Sequence, residues 1–249
     1  MSGSRVLLHG FTGAPESWDR VRAHLGDTVS CLTPAALGHD GTPGPRGIRT
    51  FEEEVDRLAA WIRERTRRPA HLAGYSMGGR LAIGLLVRHP DLFDAATLIG
   101  ASPGPASAAE REERARWDER WARLLDTEGL DTFVAAWEAL PLFAAQEALD
   151  PAVVAEQGRI RRSHDPRGLA RSLRVIGLAR MPDYRPRLPD VRCPVRLVVG
   201  EHDPRFRALA ADMRSRLPRA TVHRVPDVGH NVVLARPVAI AELLREEEE

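Results

Sequence analysis

Short apolar runs that alternate with stretches of helical periodicity constrain this chain more than any single residue does. Runs with strand character fall at about Arg5–Leu8, Thr28–Leu32, Ala70–Ala73, Ala95–Ile99, Val195–Val199 and Ala220–Val225. Helical patterns lie between them, at roughly Trp18–Leu25, Phe51–Arg65, Met77–His89, Phe206–Arg216 and Val232–Leu244. A strand, a helix and another strand in succession make a crossover, which joins parallel neighbours. The expectation is therefore an α/β fold with a mostly parallel central sheet flanked by helices. The rhythm stops after Ser102. From Pro103 to about Pro189 the chain reads as helical throughout, with Arg- and Glu-rich faces and three tryptophans, Trp117, Trp121 and Trp137. Alternation resumes at Cys193. This pattern predicts core at 1–102, a helical lid at 103–189 inserted between two strands, and core again at 190–249. Such a lid would cover the C-terminal edge of the sheet, where open α/β folds bind ligands.

Composition narrows the class. The 249 residues, 43% of them hydrophobic, suffice for one domain with a sizeable core. Thirty-six basic and 35 acidic residues leave a net charge of +1, which offers no field to attract nucleic acid. No apolar run approaches the ~20 residues needed for membrane insertion. Every basic residue is arginine, so a single arginine is weak evidence of function. Cys31 and Cys193 are expected in buried strands as small hydrophobes. Paired Cys or His at metal-binding spacing are missing, and no metal is expected. The first strand starts at once, without a basic leader segment or a long apolar stretch behind it, so a cytoplasmic location is expected. Glu246–Glu249 are expected to be a solvated helix end.

Chemistry enters at Gly74-Tyr75-Ser76-Met77-Gly78, which fits G-x-S-x-G. An apolar strand runs in and a helical pattern runs out, so Ser76 is predicted on a sharp, strained strand-to-helix bend with its hydroxyl exposed. A serine hydroxyl becomes reactive only when a base takes its proton. His230 follows the last predicted strand, in Asp227-Val228-Gly229-His230-Asn231. The histidine needs a carboxylate to fix its tautomer, and Asp203 follows the strand Val195–Val199, with Glu201 and His202 as local competitors. Ser76, Asp203 and His230 appear in the chain order of the α/β-hydrolase fold. Its oxyanion hole would take one amide from the loop after the first strand and one from the residue after the nucleophile, which nominates Phe11 and Met77. His9 and the turn Gly38-His39-Asp40 are expected to be structural. Arg80, one helical turn past Ser76, could reach the same cavity.

Beyond the fold, the chain resembles the 2-succinyl-6-hydroxy-2,4-cyclohexadiene-1-carboxylate synthases of menaquinone biosynthesis. The resemblance rests on Leu8-His9-Gly10-Phe11, on Gly74 to Arg80, and on Trp137 to Ala144 of the lid. Asp165 to Leu173, Gly200 to Asp203 with Phe206, and Gly229-His230-Asn231 extend it. It implies a lyase that eliminates pyruvate from a succinylated, enolpyruvyl-bearing cyclohexene carboxylate, with no cofactor or metal. It further implies that Ser76, activated by His230 and Asp203, removes a ring proton while the Phe11 and Met77 amides hold the charge on the succinyl carbonyl. Arg80, Arg114 and Arg161 match carboxylate-binding arginines, with Arg116 and Arg162 one register away, and Tyr75 and Trp137 match pocket aromatics. A guanidinium is the apt partner for a small polyanionic substrate, because it is permanently charged and bidentate. Two stretches depart from the family, Pro34 to Asp40 and Gly177 to Pro182. The same triad would serve a serine hydrolase acting through an acyl-serine, and a non-catalytic binding module is a third reading.

Overall fold

The structure is a computed structural model and describes residues 3–245; the Glu246–Glu249 expectation lies outside them. In chain order the first half forms β1 (Arg5–Leu8), α1 (Asp19–Leu25), β2 (Cys31–Leu32), α2 (Phe51–Arg63), β3 (Ala70–Tyr75), α3 (Met77–Arg88) and β4 (Phe93–Ile99). Four α-helices then intervene: α4 (Ala108–Thr127), α5 (Gly129–Glu138), α6 (Pro151–Arg162) and α7 (Pro166–Ile176). The chain returns to the sheet with β5 (Val195–Gly200), α8 (Pro204–Arg216), β6 (Ala220–Val225), α9 (Val232–Ala235) and α10 (Pro237–Arg245). The six strands form one sheet in the order β2-β1-β3-β4-β5-β6, and every pairing is parallel. The chain leaves β1 toward one edge and returns beside it as β3. Their C-terminal ends therefore flank the point where strand order reverses, the usual ligand crevice of such sheets.

Local chemistry explains the elements. β3 is buried along nearly its whole length, because helices cover both faces of a parallel sheet. α2 starts at Thr50, whose side chain accepts the Glu53 N–H while Glu53 reaches back to the Thr50 N–H. Phe51, Val55, Leu58 and Ile62 follow at helical spacing and are fully buried against the sheet. The helices between β4 and β5 carry their own apolar cluster, in which Trp121, Phe133, Trp137, Leu169 and Leu173 pack together and Phe11 packs against them from the sheet side. Phe133 stacks on Trp137 with ring centroids 5.5 Å apart. Among the described residues no helix is long and apolar enough to cross a membrane.

Three local expectations need correction. β2 is only Cys31–Leu32, because Gly26, at φ +81°, opens a turn in which Val29 N–H bonds back to Gly26 and which uses up the predicted start. Cys193 lies before β5, half-buried rather than buried. Pro194 has no N–H to give the ladder, so the strand begins at Val195. Cys31 is also half-buried, since β2 is an edge strand. The last helix is split at Arg236, because Pro237 cannot donate the bond that would continue α9 into α10.

Candidate active site

The elbow between β3 and α3 owes its shape to what glycine omits. A Cβ on Gly74 would lie 2.4 Å from the Gly78 carbonyl oxygen, and one on Gly78 would lie 2.1 Å from that of Leu8. Only bare backbone lets α3 start this close to β1 and β3. Between the glycines, Ser76 sits at φ 52°, ψ −106°, a strained conformation that lifts its hydroxyl off the sheet.

The acid and the base come from neighbouring strands by the same device. A Cβ on Gly200 would meet the Gly229 carbonyl oxygen at 2.1 Å, so this glycine lets the loop after β6 lie on the loop after β5. His202 N–H then bonds Val228 and Glu201 N–H bonds Val225. Asp203 caps α8 through Oδ1, which accepts the Phe206 N–H, and its Oδ2 is 2.7 Å from His230 Nδ1. Nε2 of the same ring is 3.0 Å from Ser76 Oγ. A carboxylate only accepts, so Nδ1 carries the proton and Nε2 keeps a lone pair toward the serine hydroxyl. Asp203 and His230 are buried, and Phe206 covers the imidazole at 4.3 Å between ring centroids. Glu201, the local competitor, is exposed and accepts the Asp227 N–H instead. His202 is exposed as well.

The loop after β1 closes the other side. No turn or loop hydrogen bond among the described residues uses the N–H of Phe11 or Met77, so both donors stay available to a developing oxyanion. A cavity enclosing about 580 Å³ of empty space, mouth included, opens on Ser76 and His230. Tyr75 and Trp137 line it, together with Arg161. Arg161 is buried, with Nη1 donating to Glu138 at 2.9 Å, its guanidinium 5.0 Å from the Phe143 ring centre, and Nε without a partner.

Arg80 and Arg114 go elsewhere. Arg80 is buried, and its Nη1 donates to the Ile176 carbonyl at the end of α7. Burial, and secondarily Arg114, lowers its pKa to about 10. Arg114 pairs with buried Asp118 at 2.8 Å and lies 3.9 Å over Trp117. Arg114 alone contacts Asp118, whose charge Arg80 feels only through space, and neither arginine lines the cavity. Arg116 pairs with Glu112 on the exposed face of α4, and Arg162 lies beside Asp131 and Glu138. Gln157 and Phe143 line the cavity and were not singled out from the sequence. Both belong to the insertion, where helical periodicity fixes a face but not which face meets the sheet.

Histidines fill the floor under the loop after β1. Burial lowers the His9 pKa to about 4, sets His39 well below its usual value and lowers His164. His71, buried between β-strands and bonded to Thr97, is lowered by burial to about 3. An unfolded chain titrating near 6.5 takes up more protons than this folded one as pH falls toward 4. Stability is therefore full above about pH 6.5 and is expected to decline across that window, with about 3 kcal/mol from His9 alone. Melting temperatures recorded from pH 7 to pH 4 check this, and a flat profile would rule it out.

Comparison with known proteins adds the relationship. The sequence pattern of the alpha/beta hydrolase family matches residues 6–243. The chain belongs to the alpha/beta hydrolase family. Within it, this alpha/beta hydrolase is 33% identical over 240 residues to the 2-succinyl-6-hydroxy-2,4-cyclohexadiene-1-carboxylate synthase of Enterobacter sp. (strain 638), covering 96% of this chain and 89% of that one. Its fold superposes on the structure of MenH from S. aureus with a TM-score of 0.93 at 25% identity, covering 98% of this chain and 93% of the other. A thermophilic esterase from Thermogutta terrifontis gives 0.83, also at 25% identity, covering 98% and 89%.

Proposed function

We propose that this alpha/beta hydrolase is a lyase that eliminates pyruvate from 2-succinyl-5-enolpyruvyl-6-hydroxy-3-cyclohexene-1-carboxylate, giving 2-succinyl-6-hydroxy-2,4-cyclohexadiene-1-carboxylate in menaquinone biosynthesis. The observation that carries the reading is likeness to the Enterobacter synthase along 96% of the chain, which takes in the segment that supplies Trp137 and Arg161 to the cavity. The esterase spans the cover as well, so it is the sequence likeness, with the higher structural match of 0.93 against 0.83, that favours the lyase.

In this reading Ser76 Oγ hands its proton to His230 Nε2 and takes the ring proton next to the succinyl carbonyl. Asp203 holds the imidazolium that forms. The electron pair moves onto the carbonyl oxygen, where the Phe11 and Met77 amides stabilise it. As the carbonyl re-forms, the pair shifts through the ring, the C–O bond to the enolpyruvyl group breaks, and the leaving enolate takes up the proton held by His230 to become pyruvate, which restores the triad. Arg161 supplies the cavity's buried cation, with an unpaired Nε that a substrate carboxylate can satisfy. Arg80, bonded to a backbone carbonyl, and Arg114, paired with Asp118, add a net positive field favourable to a polyanion. The helices between β4 and β5 act as the lid that keeps water from the enolate.

The test is pyruvate release by the purified chain from that precursor, read through lactate dehydrogenase. Release at enzymic rates supports the lyase. Cleavage of small aryl esters without it would turn the reading to a serine hydrolase. Replacement of Arg161 by methionine keeps the packing and removes the charge, and it is expected to raise KM for the precursor by roughly tenfold or more. Equal KM in the variant and the parent would remove Arg161 from substrate binding.

A further inference from the structure

Thr12 is a β-branched residue at φ 63°, in the left-handed region that such side chains avoid, and it is almost fully buried. Something must hold it there. Its N–H donates to His39 Nε2 at 3.2 Å, and its carbonyl oxygen is 3.3 Å from His164 Nε2. The two histidines come from different parts of the chain. His39 belongs to the loop after β2, and His164 to the junction between α6 and α7 in the insertion, 152 residues from Thr12. A backbone N–H only donates and a carbonyl only accepts, so the tautomers are fixed. His39 holds its proton on Nδ1, which bonds the Leu37 carbonyl, and His164 holds its proton on Nε2. His9 completes the group: its Nε2 accepts the Ala36 N–H, and its Nδ1–H bonds the Gly10 carbonyl. The rings pack in a row, His9 to His39 at 5.0 Å and His39 to His164 at 5.2 Å.

We propose that His39 and His164 are positioning residues that clamp both backbone groups of Thr12 and so set the adjacent Phe11 N–H, making a formed oxyanion site depend on a seated insertion. The inference rests on the reading of Phe11 as an oxyanion donor. The surrounding backbone fits a clamp. A Cβ on Gly38 would lie 2.0 Å from the Gly168 carbonyl oxygen, so the loop after β2 and the start of α7 meet backbone to backbone. Arg171 of α7 donates to the carbonyls of Pro43, Gly44, Pro45 and Ile48. The Phe11 ring, in turn, stands edge-on to both His39 and Trp137. The clamp works only with neutral rings. A second proton on His39 would face the Thr12 N–H, and one on His164 would sit on Nδ1, which has no partner. The charged groups that face the row are Glu16 and Asp40, both acting on His164, while His9, His39 and His164 act on one another.

The experiment compares His164→Phe, which keeps a ring against His39 but has no donor, with His164→Gln, which can restore a donor and does not titrate. The readout is the second-order rate of Ser76 phosphonylation by a fluorophosphonate, alongside kcat and KM for pyruvate release. His164→Phe is expected to slow phosphonylation and kcat by about tenfold, less than outright loss of an oxyanion donor, with KM within about twofold. His164→Gln should recover most of the rate. A wild-type rate in His164→Phe, or a His164→Gln as slow as His164→Phe, would overturn the clamp. Phosphonylation needs the same amides but no pyruvate, so this comparison decides the clamp separately from the lyase reading, which the release assay tests alone.

Discussion

Replacement of Ser76 by alanine is expected to lower turnover by about 10³-fold or more while leaving the melting temperature within about 2 °C of the parent. The backbone reason for intact folding is specific. The φ of 52° is imposed by Gly74 and Gly78 pressing against backbone, and an alanine bears that strain much as a serine does. What disappears is the hydroxyl 3.0 Å from His230 Nε2. His230→Ala should cost a comparable amount, and the double variant should be little worse than either single one, because groups that act as one unit fail as one unit. Additive losses would mean that the two side chains act independently. Near-parental turnover in either single variant would remove the triad from the chemistry altogether.

That test targets a constellation legible from sequence for a physical reason. Strand-to-helix alternation, the close glycines around Ser76 and the positions of Asp203 and His230 just past apolar runs are local patterns, and a parallel sheet turns local order into spatial order. Strands β3, β5 and β6 each end at the same edge, so residues just beyond them converge without any long-range information. The insertion was equally visible as the place where alternation fails. Its helices carry their own tryptophan cluster, which is why the stretch reads as helical and apolar without belonging to the sheet.

Side-chain direction was a different matter. One helical turn past Ser76 fixes where the Arg80 backbone lies, but the guanidinium follows its nearest acceptor. That acceptor is the Ile176 carbonyl, 96 residues away and unpaired because α7 ends there. Arg114 was claimed by Asp118, its i+4 neighbour, a pairing that the Arg- and Glu-rich face of α4 concealed among many others. Thr12 and His164 left no trace at all. A left-handed threonine is invisible in sequence, and its partners answer it from two distant loops. The limits at β2 and at Arg236 are milder cases, where one turn glycine and one proline outweighed a longer periodic pattern.

Gly100 carries the second large effect, and it too was silent in the sequence. It follows β4 at φ +54°, and a Cβ there would lie 2.8 Å from His230 Cε1 and 3.1 Å from Nδ1. Phe206 and Tyr75 pack on the imidazole and Asp203 holds its Nδ1, so the ring has little room to yield without disturbing its contact with Ser76. Gly100→Ala is therefore expected to cut kcat by about 10²-fold, since catalytic groups tolerate displacements of well under about 1 Å. The left-handed backbone adds a destabilisation of about 1 kcal/mol, which unfolds too little protein to explain that loss. Ser76 phosphonylation should slow in parallel with kcat, because both need His230 within reach of the hydroxyl. If Gly100→Ala kept parental kcat, the imidazole would have to work from a position other than the one beside Gly100. If it lost kcat but kept the phosphonylation rate, the defect would lie in substrate binding and not in the serine–histidine contact.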